Sequence, residues 1–154
     1  MIKGFAVKTC SKIEITTLVV MGLITFLALL GYLVPQCRQA LFILAPILMV
    51  ISICCYLRSP VAYEITSDNR LIVRFRLGSK VFHHVKVARA TDPLNLCTIR
   101  LWGNGGLFAV TGLYWNSKLG RFYAYLTELN HLVLVELQDG RKIVISPENE
   151  NAWR

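Results

Sequence analysis

Charge is scarce in this sequence, and negative charge is the scarcer kind: Asp and Glu number 9 among 154 residues, against 17 Lys and Arg. So few carboxylates leave little material for a paired-acid catalytic centre, and Glu64, Asp68 and Glu128 show no spacing that would unite them. The five cysteines (Cys10, Cys37, Cys54, Cys55, Cys97) are odd in number and hold no C-x-x-C pair, which argues against a disulfide framework or a thiolate zinc site. Cys54-Cys55 would suit acylation in a eukaryote, but two small polarizable side chains read first as helix packing. Gly103, Gly105 and Gly106 have neither the spacing and Lys-Ser/Thr of a phosphate loop nor the spacing of a dinucleotide turn. No Ser-His-Asp set stands out. The expectation is a protein that is not an enzyme, with no catalytic residue, no cofactor and no metal.

What the chain does have is long uncharged runs. Ile15 to Val34 carries no charge over 20 residues, about 30 Å of helix, and Ala40 to Leu57 is a second such run of 18. Between them Pro35 ends the first helix, while Pro46 sits inside the second, where a kink is expected. The two runs predict a transmembrane helical hairpin at 15–57 (15–34 and 40–57), after a cytoplasmic segment at 1–14 and before a cytoplasmic domain at 58–154. A cleaved signal peptide fits less well, since the apolar core is too long and no small-residue cleavage site follows. Lys3, Lys8, Lys12 and Arg58 flank the outer ends of the hairpin and only Arg38 lies in its turn, so both termini are expected in the cytoplasm of a multi-pass protein. Topology thus accounts for much of the basic excess. From Tyr63 onward 12 basic residues face 8 acidic ones, a net +4, too little to predict a nucleic-acid partner.

Beyond Ala62 the hydrophobic pattern alternates, the signature of strands with one buried face. In Arg70–Leu77, the residues Leu71, Val73, Phe75 and Leu77 share one face and Arg70, Arg74 and Arg76 the other. Ala62–Thr66 precedes it across a Ser67-Asp68-Asn69 turn, and Lys80–Val87 follows Gly78-Ser79, giving a three-stranded meander. In that third strand His83 and His84 would point to opposite faces and could not share a metal. A turn is expected at Asp92-Pro93, a strand at Thr98–Leu101, a reversal at Trp102–Gly106, and bulky residues over Leu107–Tyr114. Arg121–Thr127, Leu132–Leu137 and Arg141–Ile145 read as strands, the last two joined at Asp139-Gly140. Ser146-Pro147-Glu148 has helix-start chemistry, with about two turns possible before the chain ends. The sum is about seven antiparallel strands forming a small barrel or sandwich, closed by a short C-terminal helix.

Ile99–Trp153 resembles the C-terminal part of a bacterial pleckstrin-homology-like (PH-like) domain family of small membrane proteins. The resemblance lies in Gly103-Asn104-Gly105-Gly106-Leu107-Phe108, Gly112-Leu113-Tyr114, Leu119-Gly120-Arg121-Phe122 and Ile145-Ser146-Pro147. It implies a PH-like fold on a two-helix anchor in the bacterial inner membrane, with no catalytic residues to carry over. The motif residues Gly103, Gly105, Gly106, Gly112, Gly120, Ser146 and Pro147 are expected to be structural. Trp153 is the one large apolar residue of the closing helix.

Two surfaces are candidates. Arg70, Arg74 and Arg76 form a basic stripe that would meet anionic headgroups if it faced the bilayer, or otherwise a solvated strand face. Tyr114, Trp115, Tyr123 and Tyr125 belong to a dense aromatic group with Trp102, Phe108 and Phe122, which is either core or a strand edge for a partner. The expected function is a non-enzymatic membrane-anchored binding or scaffolding module, acting by self-association (a homo-oligomer) or by binding another membrane protein. Sensing anionic lipid through the arginines, or serving as accessory subunit of a larger membrane complex, is the alternative.

Overall fold

A computed structural model describes residues 3–6, 11–34, 38–91 and 98–148. Two helices lie in the first third of the chain, α1 (Ser11–Leu33) and α2 (Arg38–Leu57), and they pack together. Their less exposed positions recur every three to four residues: Thr17, Val20, Ile24, Leu27 and Gly31 on α1, with Ala45, Leu48, Ser52 and Cys55 on α2. Such a seam is what two near-parallel helix axes require. Outside it the apolar side chains are exposed, as at Leu18, Val19, Phe26 and Ile43. The hydroxyls of Thr16, Thr17, Thr25 and Ser52 donate to carbonyls one turn back, so these polar groups are satisfied within their own helix. Among the described residues α1 alone is long and apolar enough to cross a membrane, the apolar stretch of α2 being the shorter Ile43–Leu57. α2 continues as one helix through Pro46.

Among the described residues ten strands form two sheets. β1 (Lys3–Ala6), β2 (Pro60–Thr66), β3 (Arg70–Phe75) and β4 (Ser79–Phe82) make the first, in chain order. β5 (Val85–Thr91), β6 (Ile99–Gly105), β7 (Val110–Asn116), β8 (Gly120–Leu126), β9 (Leu132–Leu137) and β10 (Lys142–Ile145) make the second, ordered β5-β9-β10-β8-β7-β6. They form an open, mainly-β sandwich. Its core joins Tyr63, Leu71 and Val73 of the first sheet to Tyr125, Val133, Val135, Ile143 and Ile145 of the second. Tyr63 is wholly buried and donates its hydroxyl to the Tyr125 carbonyl at 2.7 Å, and burial pushes its pKa up to about 12.

Several expectations are corrected. The segment before the helices is not separate from the domain: β1 pairs antiparallel with β2, Lys3 opposite Ile65 and Ala6 opposite Ala62. The strand expected over Lys80–Val87 is two strands in different sheets. His84 takes φ 60°, turning the chain out of the first sheet, and its carbonyl accepts the Gln138 N–H at 2.9 Å. Not all pairs are antiparallel, because β10 inserts between β8 and β9 and runs parallel to β8. The reversal expected at Trp102–Gly106 begins only at Gly106, since β6 continues through Gly105 with a bulge between Arg100 and Trp102. Ser146 does not start a helix within the described residues. Its buried hydroxyl instead accepts N–H groups from Thr127 (2.8 Å) and Glu128 (3.2 Å), fastening the end of β10 to the end of β8. The rest of the expected closing helix with Trp153, and the Asp92-Pro93 turn, lie outside the described residues. The helix that packs on the second sheet here is α1: Ile13 is 3% exposed among Val110, Tyr114, Phe122, Leu126 and Leu134.

Candidate interaction site

Every strand has one end near the helices and one end far from them. Ser59, Arg76, Phe108, Thr127 and Ser146 mark the near end, and Asn69, His84, Asn116 and Gln138 the far end. At the near end the Phe108 N–H donates to Thr17 Oγ1 at 3.0 Å, the Phe108 ring meets Tyr56 edge-on at 5.2 Å, and the Leu77 N–H reaches the Leu57 carbonyl at 3.2 Å. Both helices are therefore docked on the sandwich.

The arginines do not act as one stripe. Arg74 forms an ion pair with Glu64 at 2.7 Å, and Arg70 lies 4.0 Å from Asp68. Arg76 has turned toward the helices, with Nε donating to Ser59 Oγ at 3.2 Å and the guanidinium carbon 4.2 Å from the Tyr56 ring centre. The chain leaves β3 at Phe75, so strand alternation no longer fixes its direction.

The aromatic group divides as well. Tyr114 is buried, stacks on Phe122 at 6.1 Å and donates to the Asn104 carbonyl at 2.7 Å; burial raises its pKa, with Arg100 opposing. Tyr125 is buried beneath Phe75 and Phe82 of the first sheet. These two belong to packing, not to a partner edge. Trp115 and Tyr123 are partly exposed, and cross-strand register places them on one face with Trp102 and with the aliphatic residues Ile99 and Leu113. Ile99 sits opposite Trp115, Trp102 opposite Leu113, and Leu113 opposite Tyr123. The first sheet covers β8 but not this part of β6 and β7. Trp102 is consequently 82% exposed, the most exposed large apolar residue among those described, with Ile99 and Leu101 exposed beside it. β6 is also one of the two edge strands of the second sheet among the described residues. The sequence placed Trp102 in the aromatic group but in a turn, because its surroundings are rich in glycine, whereas it lies within β6.

Basic side chains border this face. Lys80 reaches over from β4, its Nζ 3.0 Å from the Tyr125 hydroxyl and 5.6 Å from the Tyr123 ring centre, and Arg121 lies opposite Trp115. The strands β6, β7 and β8 contain no Asp or Glu.

The motif residues shape the backbone under it. Gly103 and Gly112 face each other across β6 and β7 at φ 118° and 136°, and a Cβ on either would run into the facing strand's backbone. Asn104 organises the loop, its Oδ1 accepting the Gly106 and Leu107 N–H groups and its Nδ2 donating to the Leu107 carbonyl. Gly120 follows a loop held by Asn116, and Pro147 is buried beside Ser146. Among the described residues no three His, Cys, Asp or Glu side chains converge on a point.

No curated protein and no solved structure matches the chain. The family model described as a bacterial PH domain matches residues 62–153, which is the sandwich from β2 onward. With its mainly-β sandwich and that match over more than half its length, the chain belongs to the bacterial PH domain family.

Proposed function

We propose that this protein is a non-enzymatic binding or scaffolding module, held at the cytoplasmic face of the bacterial inner membrane by the two helices, which captures another membrane protein on the β6–β7 face. The observation that carries the reading is that uncovered face. An apolar surface centred on an 82% exposed tryptophan and ending in a strand edge unpaired among the described residues is costly to leave in water. A strand from a partner would satisfy its backbone groups and cover Trp102.

Charge favours a foreign partner over a second copy. A symmetric contact would bring Lys80 and Arg121 against their own duplicates, whereas a segment that is apolar and acidic would complement them. The β1–β2 pairing is compatible with the anchor: residues 3–6 and 60–66 flank the helices in sequence and share a sheet, so crossings by the chain between them would be even in number. The seam between α1 and α2, the exposed apolar surface around it, and the basic residues at its outer ends fit two crossings with a cytoplasmic domain at 58–154. The lipid-sensing alternative loses support, because Arg70 and Arg74 are occupied by Asp68 and Glu64.

The test is mild-detergent purification of the full-length protein from its native membrane, beside a Trp102→Glu variant. A stoichiometric foreign protein should accompany the wild type and be lost from the variant. Co-elution unchanged by the substitution, or a chain purified only with itself, would contradict the reading.

A further inference from the structure

Where α1 leaves the sandwich, a cavity of about 430 Å³ opens between helix and domain. Ile13, Thr17 and Leu18 of α1 and Tyr56 of α2 form its helix side, and Arg76 and Phe108 its domain side. Two charges line it. Arg76 is one; its Nε and ring partners, Ser59 and Tyr56, are neutral, and among the described residues no carboxylate lies within ion-pair distance of it. Glu14, in the first turn of α1, is the other, and it too has no ion-pair partner among the described residues. Lys12 and Arg58 lie next to the lining in sequence.

The depth of this cavity follows from Thr17, which is bonded to Phe108 and stands two residues inside the uncharged run that begins at Ile15. That level is the headgroup region of a bilayer crossed by α1. Resting on the anchor proposed above, we infer that the cavity holds one phospholipid with an ethanolamine headgroup. Its phosphate takes the free guanidinium nitrogens of Arg76, its ammonium faces Glu14, and an acyl chain follows exposed Leu18 into the membrane. Opposite charges in one small site select a zwitterion over a purely anionic lipid, for which Glu14 would be a repulsive neighbour.

The experiment uses full-length protein reconstituted in bilayers of equal phosphatidylethanolamine and phosphatidylglycerol, then extracted in mild detergent with bound lipid counted by mass spectrometry. Wild type should retain about one phosphatidylethanolamine per chain, and Arg76→Gln should cut that at least about tenfold, the worth of a charge-assisted hydrogen bond. Arg76→Lys should keep part of the retention, Glu14→Gln should abolish the preference between the two lipids, and Arg70→Gln should change nothing. Comparable unfolding midpoints for wild type and Arg76→Gln establish that the loss is local. Retention unaffected by Arg76→Gln, or a preference for phosphatidylglycerol, would overturn the inference. So would displacement of the lipid by inorganic phosphate, which would make the ligand a free anion. Alkaline extraction of the same membranes separates the two ideas: a chain released by it has no anchor, whereas an integral chain without retained lipid contradicts this inference alone.

Discussion

Gly103 and Gly112 show how much one residue type decides here. Their Cα atoms oppose each other in a bulged strand pair, both at φ values that favour glycine, and each would strike the facing backbone if it carried a Cβ. Gly112→Ala should therefore lower stability by at least about 2 kcal/mol through strain and overlap, read as a fall in the thermal midpoint of the full chain in detergent. Gly78→Ala, where φ is 89° but the space is open, should cost less. Tyr63 gives a second residue-level test. Its pKa is raised from the usual 10 to about 12, so the stability it contributes is complete below pH 10 and is lost as pH rises through 12. Across that window wild type should lose stability about 1.4 kcal/mol per pH unit more steeply than Tyr63→Phe, measured by denaturant midpoints at successive pH values. The glycines were legible as a cluster, and their composition suggested a reversal. Their use in a close strand crossing was not legible, because it depends on which residues the fold sets opposite them.

At the scale of elements, local signals served well where the turn chemistry was explicit. Asn69 and the Asp139-Gly140 pair mark the β2–β3 and β9–β10 turns as the residue types suggest, and Asp139 accepts the Arg141 N–H at 3.0 Å, which lowers its pKa. The corner between β4 and β5 carried no such signal, since His84 adopts a left-handed conformation without glycine or proline nearby. Likewise Ser146 has the sequence of a helix cap, but tertiary structure turns its hydroxyl to Thr127 and Glu128. Ser146→Ala would leave buried N–H groups without their acceptor and should destabilise the chain by about 1–3 kcal/mol in thermal unfolding. The role of α1 was also hidden, as Ile13 precedes the apolar run and looks like a flanking residue, whereas it completes the second sheet's packing. Ile13→Ala should cost about 2–5 kcal/mol, and should loosen the helix from the domain as increased protease cleavage between them.

For the whole molecule, the alternating pattern indicated a mainly-β domain and the uncharged runs indicated apolar helices before it; sheet order and the pairing of β1, which precedes the helices, required the fold. That strand fixes a geometrical claim. If Ala6 and Ala62 are neighbours in one sheet, the double variant Ala6→Cys/Ala62→Cys should form an intramolecular disulfide under mild oxidation, seen as altered mobility that reductant reverses. Under the proposed function, a domain tethered this way would present its β6–β7 face at a fixed height beside the membrane, where a neighbouring membrane protein would add a strand. The most direct test of that account is photo-crosslinking in native membranes from a probe at Trp102, compared with a probe at Ile72 on the outer face of the first sheet. The account predicts a discrete adduct with a foreign protein from position 102, mapping to an apolar segment with acidic residues, and none from position 72. Equal labelling from both positions, or adducts from position 102 only to a second copy of the chain, would contradict it.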